Sequence, residues 1–122
     1  MIIADTSVWI DYLKGHEEIT AMMRPYISKH QVVAISAVFG ELLQGVKNKR
    51  ERSIIEGFWE HLPKVDERDL FIKAGQISNE HKLYTNGVGL IDCYLLAAAV
   101  KFDLALWTKD KELLKAVDIV SD

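Results

Sequence analysis

With 122 residues and a net charge of −3, the chain is sized for one domain, residues 1–122, and has no bulk positive charge to attract nucleic acid. Its 49% hydrophobic and 27% charged content is that of an ordinary globular protein, which sets aside disordered and fibrous classes. A single cysteine, Cys93, excludes an internal disulfide, and no run approaches the ~18 apolar residues of a membrane helix. The start lacks a basic region ahead of an apolar one, so a cytoplasmic protein with no signal peptide and no membrane partner is expected.

In chain order, Met1-Ile2-Ile3-Ala4 reads as a short, apolar first strand. Asp5-Thr6-Ser7 closes it, with Thr6 or Ser7 as the cap of a helix over 8–13 that Gly15 stops. A second helix over 17–29 has Ile19, Met22, Met23, Tyr26 and Ile27 at helical spacing, with Pro25 as a kink or division. Val32-Val33-Ala34-Ile35 reads as a second buried strand, and Ser36 as the cap of a helix over 37–46. That helix carries Glu41, with Gly40 and Gly45 beside it. Each glycine costs about 1 kcal/mol against alanine in a helix interior, which makes sense if something approaches that face closely. Lys47-Asn48-Lys49-Arg50-Glu51-Arg52 is a basic run. A helix over 53–61 follows, ended by Pro63. Lys64-Val65-Asp66 is a candidate edge strand, and Asp66 a cap for a helix over 67–83.

The stretch from Gly87 to Asp110, GVGLIDCYLLAAAVKFDLALWTKD, is the most telling. It opens on a glycine-bounded turn and continues as a helix apolar on nearly every side, the mark of a buried helix. Ala97, Ala98 and Ala99 give it a low profile for lying against a sheet. Asp92 nevertheless sits in its first turn, with no lysine or arginine three or four residues away. Leu104-Ala105-Leu106-Trp107 then has the length of a buried strand and ends in Thr108-Lys109-Asp110. A last helix is expected over 111–117 and a last strand over 118–120. Strands alternating with helices predict an α/β fold with a parallel sheet covered on both faces.

Sites in open parallel sheets form outside the C-terminal ends of the strands. Asp5 follows the first strand, and Asp110 lies three residues past Trp107. Glu41 lies in the second turn of the helix leaving the second strand, and Asp92 opens the helix that runs down to the strand before Asp110. The four acids are therefore expected on one rim. Like charges so gathered raise one another's pKa values unless a cation neutralises them. An all-oxygen, carboxylate-rich set suits Mg²⁺ or Mn²⁺, and phosphoryl transfer is the usual chemistry of such a set.

At these residues the chain resembles the PIN domain: Asp-Thr-Ser after the first strand, Glu41 in ISAVFGELLQG, Asp92 in GLIDCYLLAAA, and Thr108 and Asp110 in LWTKD. Its size and its DTSVWIDYLKG opening resemble a VapC-type toxin of a toxin–antitoxin pair. The resemblance implies a three-layer α/β/α sandwich around a parallel sheet of four to five strands. It implies a Mg²⁺-dependent endoribonuclease, with Mn²⁺ able to substitute, an RNA substrate, a cognate antitoxin and a homodimer. Asp5, Glu41, Asp92 and Asp110 would be the catalytic, metal-holding acids. The hydroxyls of Thr6, Ser7 and Thr108 would orient carboxylates or waters. Lys47, Lys49, Arg50, Arg52 and Lys109 would contact the RNA backbone. The chain departs from the family pattern at Phe102-Asp103, where a glycine is common before the strand, and at Leu113, where an aromatic often stands.

Each assignment has a plainer counterpart. Asp5, Asp92 and Asp110 could be helix caps, Glu41 a solvated helix residue, and the basic run a solvated face. His16, His30, His61 and His81 raise the alternative of a metal-free ribonuclease working by general acid and base. A non-catalytic protein-binding module is another alternative. A receiver-type signalling domain would need a phospho-accepting aspartate after the mid-chain strand, where Ser36 and Glu41 stand instead. The large apolar side chains between Tyr26 and Trp59 add a second reason to expect a dimer.

Overall fold

The computed structural model describes residues 1–121. Strand β1, Ile2–Ala4, pairs in parallel with β2, Ala105–Trp107, in the register Ile2 to Ala105, Ile3 to Leu106 and Ala4 to Trp107. The backbone N–H of Asp5 donates to the Trp107 carbonyl at 3.0 Å, so Asp5 leaves its strand level with the end of β2. Among the described residues seven helices surround this pair: α1 Thr6–Leu13, α2 Glu17–Ser28, α3 Ser36–Gln44, α4 Lys49–His61, α5 Leu70–His81, α6 Leu90–Phe102 and α7 Lys111–Ser121. A 3-10 turn, Leu83–Asn86, joins α5 to α6.

The expected sheet of four to five strands is not what the described residues form. Val32 to Ile35 is buried, but it touches the sheet at a single parallel bridge between Val32 and Ile2. Two residues on, the Ala34 N–H donates to the Pro63 carbonyl at 2.9 Å. That single bond is the only backbone bond joining the two segments among the described residues, so no ladder builds on it, and neither the second strand nor the edge strand at 64–66 forms. The last strand expected at 118–120 is instead the end of α7. Leu113 and Ala116 are buried and Val117 and Val120 half-buried, a 3.6-residue spacing that continues the helix.

Several caps also differ from expectation. Asp5, not Thr6 or Ser7, caps α1 through a hydrogen bond from the Val8 N–H to Oδ1 at 3.0 Å. Helix α4 starts four residues before the expected Ser53, because the Asn48 side chain accepts the Glu51 N–H at 2.9 Å and Glu51 reaches back to the Lys47 N–H. Asp66 does not cap α5; it accepts the Arg68 N–H, and the helix begins at Leu70. Pro25 lies inside a continuous α2.

The core sits where α6 passes the sheet. Every residue from Cys93 to Ala99 is buried, as are Ile3, Ala4, Val8 and Trp9. Trp9 meets Phe39 with ring centroids 5.3 Å apart and Phe58 at 5.4 Å, locking α1, α3 and α4 together. Trp9 is thus a core side chain, with Phe58 and Trp59 partly buried against the core. Within 26–59, Tyr26 and Ile54 are the large apolar side chains left exposed among the described residues, so that segment is hidden by one copy of the chain. Exposed apolar side chains lie mainly elsewhere, at Phe71, Ile72, Tyr84, Leu90 and Ile91. Among the described residues no helix is long and apolar enough to cross a membrane.

Candidate active site

Asp5 is the innermost of the acids, only 7% exposed. An ionised carboxylate that deep must be hydrogen-bonded. Oδ1 accepts from Ser7 Oγ at 2.8 Å and from the Val8 N–H, and Oδ2 accepts from Thr108 Oγ1. Thr108, also 7% exposed, accepts the Asp110 N–H on the same oxygen at 3.0 Å. The hydroxyl therefore links the acid after β1 to the loop after β2.

Glu41 projects from the second turn of α3 and is exposed. Its Oε1 accepts from Thr6 Oγ1 at 2.6 Å, which ties α3 to the start of α1. Gly40 is exposed, and a Cβ there would meet nothing within 4 Å, while Gly45 is the C-terminal cap of α3. The close approach expected at these glycines is not made within the chain. Beside Glu41 a groove of about 420 Å³ opens between α1, α3 and α4, with Ile10, Leu13, Val46 and Ile54 in its wall and Lys14 and Lys47 in its lining.

Asp92 is the third residue of α6 and does not cap it; the cap position belongs to Gly89. Its half-buried carboxylate accepts no hydrogen bond among the described residues. Burial is the main cause that pushes its carboxyl above the ordinary value, followed by the charges of Asp110, Asp5 and Glu41. The charges of the other three acids are thus all felt at the Asp92 carboxylate. Asp110 does cap: Oδ1 accepts the N–H of Glu112 at 2.9 Å and of Leu113 at 3.4 Å, which leaves Oδ2 without such a bond.

The donor set is all oxygen and strongly anionic, which fits a hard divalent cation. Among the described residues, no three Asp, Glu, His or Cys side chains stand as a ready-made metal cage. A loose ring is compatible with Mg²⁺, which dehydrates reluctantly and keeps several waters between itself and the protein.

The basic residues divide. Arg52 pairs with Glu56 at 3.0 Å, and Lys109 pairs with Asp11 on α1, whose carboxyl that hydrogen bond holds below its ordinary value. Lys47, Lys49 and Arg50 are exposed, with no ion pair among the described residues. The histidines sit at helix ends. His16 Nδ1 accepts the Ile19 N–H to cap α2, His30 follows α2, and His61 and His81 close α4 and α5.

Two further side chains, Glu67 and Tyr94, have no assigned role in the sequence but join α3 to α6. Glu67, in the loop before α5, accepts the Ser36 N–H, the Ser36 hydroxyl and the Tyr94 hydroxyl. Burial, then the Glu67 carboxylate, holds the Tyr94 phenol above its ordinary value. In sequence Glu67 stands in VDERD, indistinguishable from a solvated charged loop, and its partner Ser36 is 31 residues away.

A family model described as PIN domain matches residues 2–119, nearly the whole chain. Compared one by one with curated proteins, the sequence has no significant match.

Proposed function

The chain belongs to the PIN-domain family, whose members are generally nucleases working with divalent metal ions, and from that premise we propose that it is a Mg²⁺-dependent endoribonuclease of VapC type. The observation that carries the reading is Asp92. A half-buried carboxylate with no hydrogen-bond donor among the described residues, raised first by burial and then by three further acids, is a group kept at a cost to the apo fold. A cation removes that cost. When bound, the cation would activate a water and stabilise charge on the scissile phosphate. Asp92 and Glu41 would hold it most directly, with Asp5 and the free oxygen of Asp110 completing the ring. Thr108 and Ser7 fix the Asp5 carboxylate, and Thr6 fixes Glu41. Lys47, Lys49 and Arg50 would take the RNA backbone; Arg52 and Lys109 would first have to leave Glu56 and Asp11.

In this reading the protein works in the cytoplasm as a homodimer and is silenced by a small antitoxin. Support for the antitoxin is the apolar groove abutting Glu41, where a partner could cover the site. Purified protein should cleave RNA in Mg²⁺ or Mn²⁺ and stop in EDTA. Cleavage that survives EDTA would move the assignment to the histidines. The helix-end positions of all four histidines, two of them with Nδ1 bonded to backbone groups, favour the acids.

A further inference from the structure

Glu41 and Asp92 reach the site from different helices. Among the described residues the Glu41 side chain is hydrogen-bonded to Thr6 alone and Asp92 accepts no hydrogen bond, so their separation is set by how α3 and α6 are held together. One carboxylate spans the two helices. Glu67 accepts the Ser36 N–H at 3.1 and 3.2 Å and Ser36 Oγ at 2.6 Å, at the first residue of α3. It also accepts Tyr94 Oη, two residues beyond Asp92 on α6. Tyr94 is buried and its ring is braced edge-on by Phe71, with centroids 5.9 Å apart.

We propose that Glu67 is a positioning residue for the acid cluster: it clamps the start of α3 to the first turns of α6 and so sets where Glu41 stands relative to Asp92. This rests on the nuclease reading above. Helix α3 has no side-chain cap of its own, since Ile35 occupies its cap position. Its first N–H is therefore satisfied by Glu67 alone, at the helix end where a negative charge is favoured. No lysine or arginine pairs with Glu67 among the described residues, so its charge is balanced by these donors rather than by a cation. Hydrogen bonds to an ionised acceptor are roughly twice as strong as neutral ones, enough for one side chain to hold two helix ends. Glu41 lies five residues past Ser36, about 7.5 Å along the helix axis, so a small tilt at the clamp moves its carboxylate.

The test compares wild type with Tyr94→Phe, which keeps the ring and cuts only the tie to α6, and with Glu67→Gln and Glu67→Ala. Ile77→Val, a mild core change on α5, controls for loss of stability. Amide exchange over residues 37–41, measured without metal, should speed up several-fold in Glu67→Ala. Mn²⁺ affinity by calorimetry should fall roughly tenfold in Tyr94→Phe and Glu67→Ala, the scale typical of groups that orient metal ligands. Glu67→Gln, which keeps one acceptor oxygen, should fall between them and wild type. Turnover should fall with the RNA KM unchanged, and Ile77→Val should leave Mn²⁺ affinity alone. Mn²⁺ affinity within twofold of wild type in both Tyr94→Phe and Glu67→Ala would overturn the proposal and leave the nuclease reading intact. Wild-type protein that binds no Mn²⁺ would overturn the nuclease reading, and the positioning role with it.

Discussion

Thr108 donates its hydroxyl to Asp5 across 103 residues of sequence, and the same oxygen accepts the Asp110 N–H. β1 and β2 are paired in parallel up to Ala4 and Trp107, so the next residue on each strand, Asp5 and Thr108, face each other just beyond the ladder. Both are buried, and the bond serves a carboxylate that is largely withdrawn from water.

Thr108→Val keeps the shape and removes the hydroxyl. Asp5 keeps two donors on Oδ1 and loses the one on Oδ2. A hydrogen bond to a charged group is worth about 1.5–3 kcal/mol, and that loss is expected in stability. Urea unfolding in EDTA measures it. A loss below about 0.5 kcal/mol would show that Asp5 is held by α1 alone.

β1, α6 and β2 were legible because each is a nearly unbroken apolar run whose length settles its type. The segment 32–35 was not, although it is just as apolar and buried. Burial is a property of side chains, whereas strand pairing is a property of backbone partners, and this segment has one bridge to Ile2 and one bond to Pro63. At 118–120 the β-branched Ile119 and Val120 suggested a strand, and the helical spacing from Leu113 overrode them. Caps were harder still. Asp5 ends a strand and caps a helix in one residue, and Glu67 caps α3 from a loop that sequence proximity does not connect to it. The departure at Asp103 has a conformational reason: the residue closes α6 at φ 53°, the left-handed region where a glycine is at ease. Strand ends pointed to four candidate acids, but the raised carboxyl of Asp92 was not legible, since it depends first on burial.

The alanine run in α6 can be tested by size. Ala98 is fully buried in the most buried helix of the chain. Ala98→Leu adds three carbons where there is no room, and overpacking of this kind costs about 1–3 kcal/mol. Urea unfolding should show that loss. A variant as stable as wild type would mean that α6 has slack against its neighbours.

Lys82 tests backbone strain instead of packing. It ends α5 at φ 52°, ψ 39°, a left-handed conformation, and its side chain is exposed. Left-handed backbone costs an ordinary residue about 1–2 kcal/mol, while glycine loses about 0.5–1 kcal/mol in chain entropy. Lys82→Gly is therefore expected to stabilise the protein by about 0.5–1 kcal/mol. Thermal unfolding measures it, and a lowered Tm would show that the lysine stem contributes packing that outweighs the strain.

Asp92→Asn separates stability from function. In the folded chain the Asp92 carboxyl is raised, first by burial and then by Asp110, Asp5 and Glu41. A raised acid binds its proton more readily folded than unfolded, so between the unfolded and folded pKa values the native state holds the extra proton. Stability therefore falls as pH rises through that window, and at neutral pH the ionised Asp92 is a net cost to the metal-free fold. The amide that replaces it carries no such charge, so without metal the variant should be more stable than wild type at pH 7. Because Asp92 is part-exposed and screened by water, the gain should be about 1 kcal/mol or less. It should shrink as pH is lowered and Asp92 in the wild type takes up its proton. Added Mn²⁺ should reverse the order, since wild type gains binding energy that the variant lacks. RNA cleavage by the variant should fall by about two orders of magnitude or more, the loss expected when a group stabilising transition-state charge is removed. Melting curves across pH, with EDTA and with Mn²⁺, read the stability terms on one pair of proteins, and a cleavage assay on the same pair reads the rest. A variant that melts below wild type in EDTA and still binds Mn²⁺ would mean that Asp92 is a structural residue of α6 and that the cation is held by the other three acids.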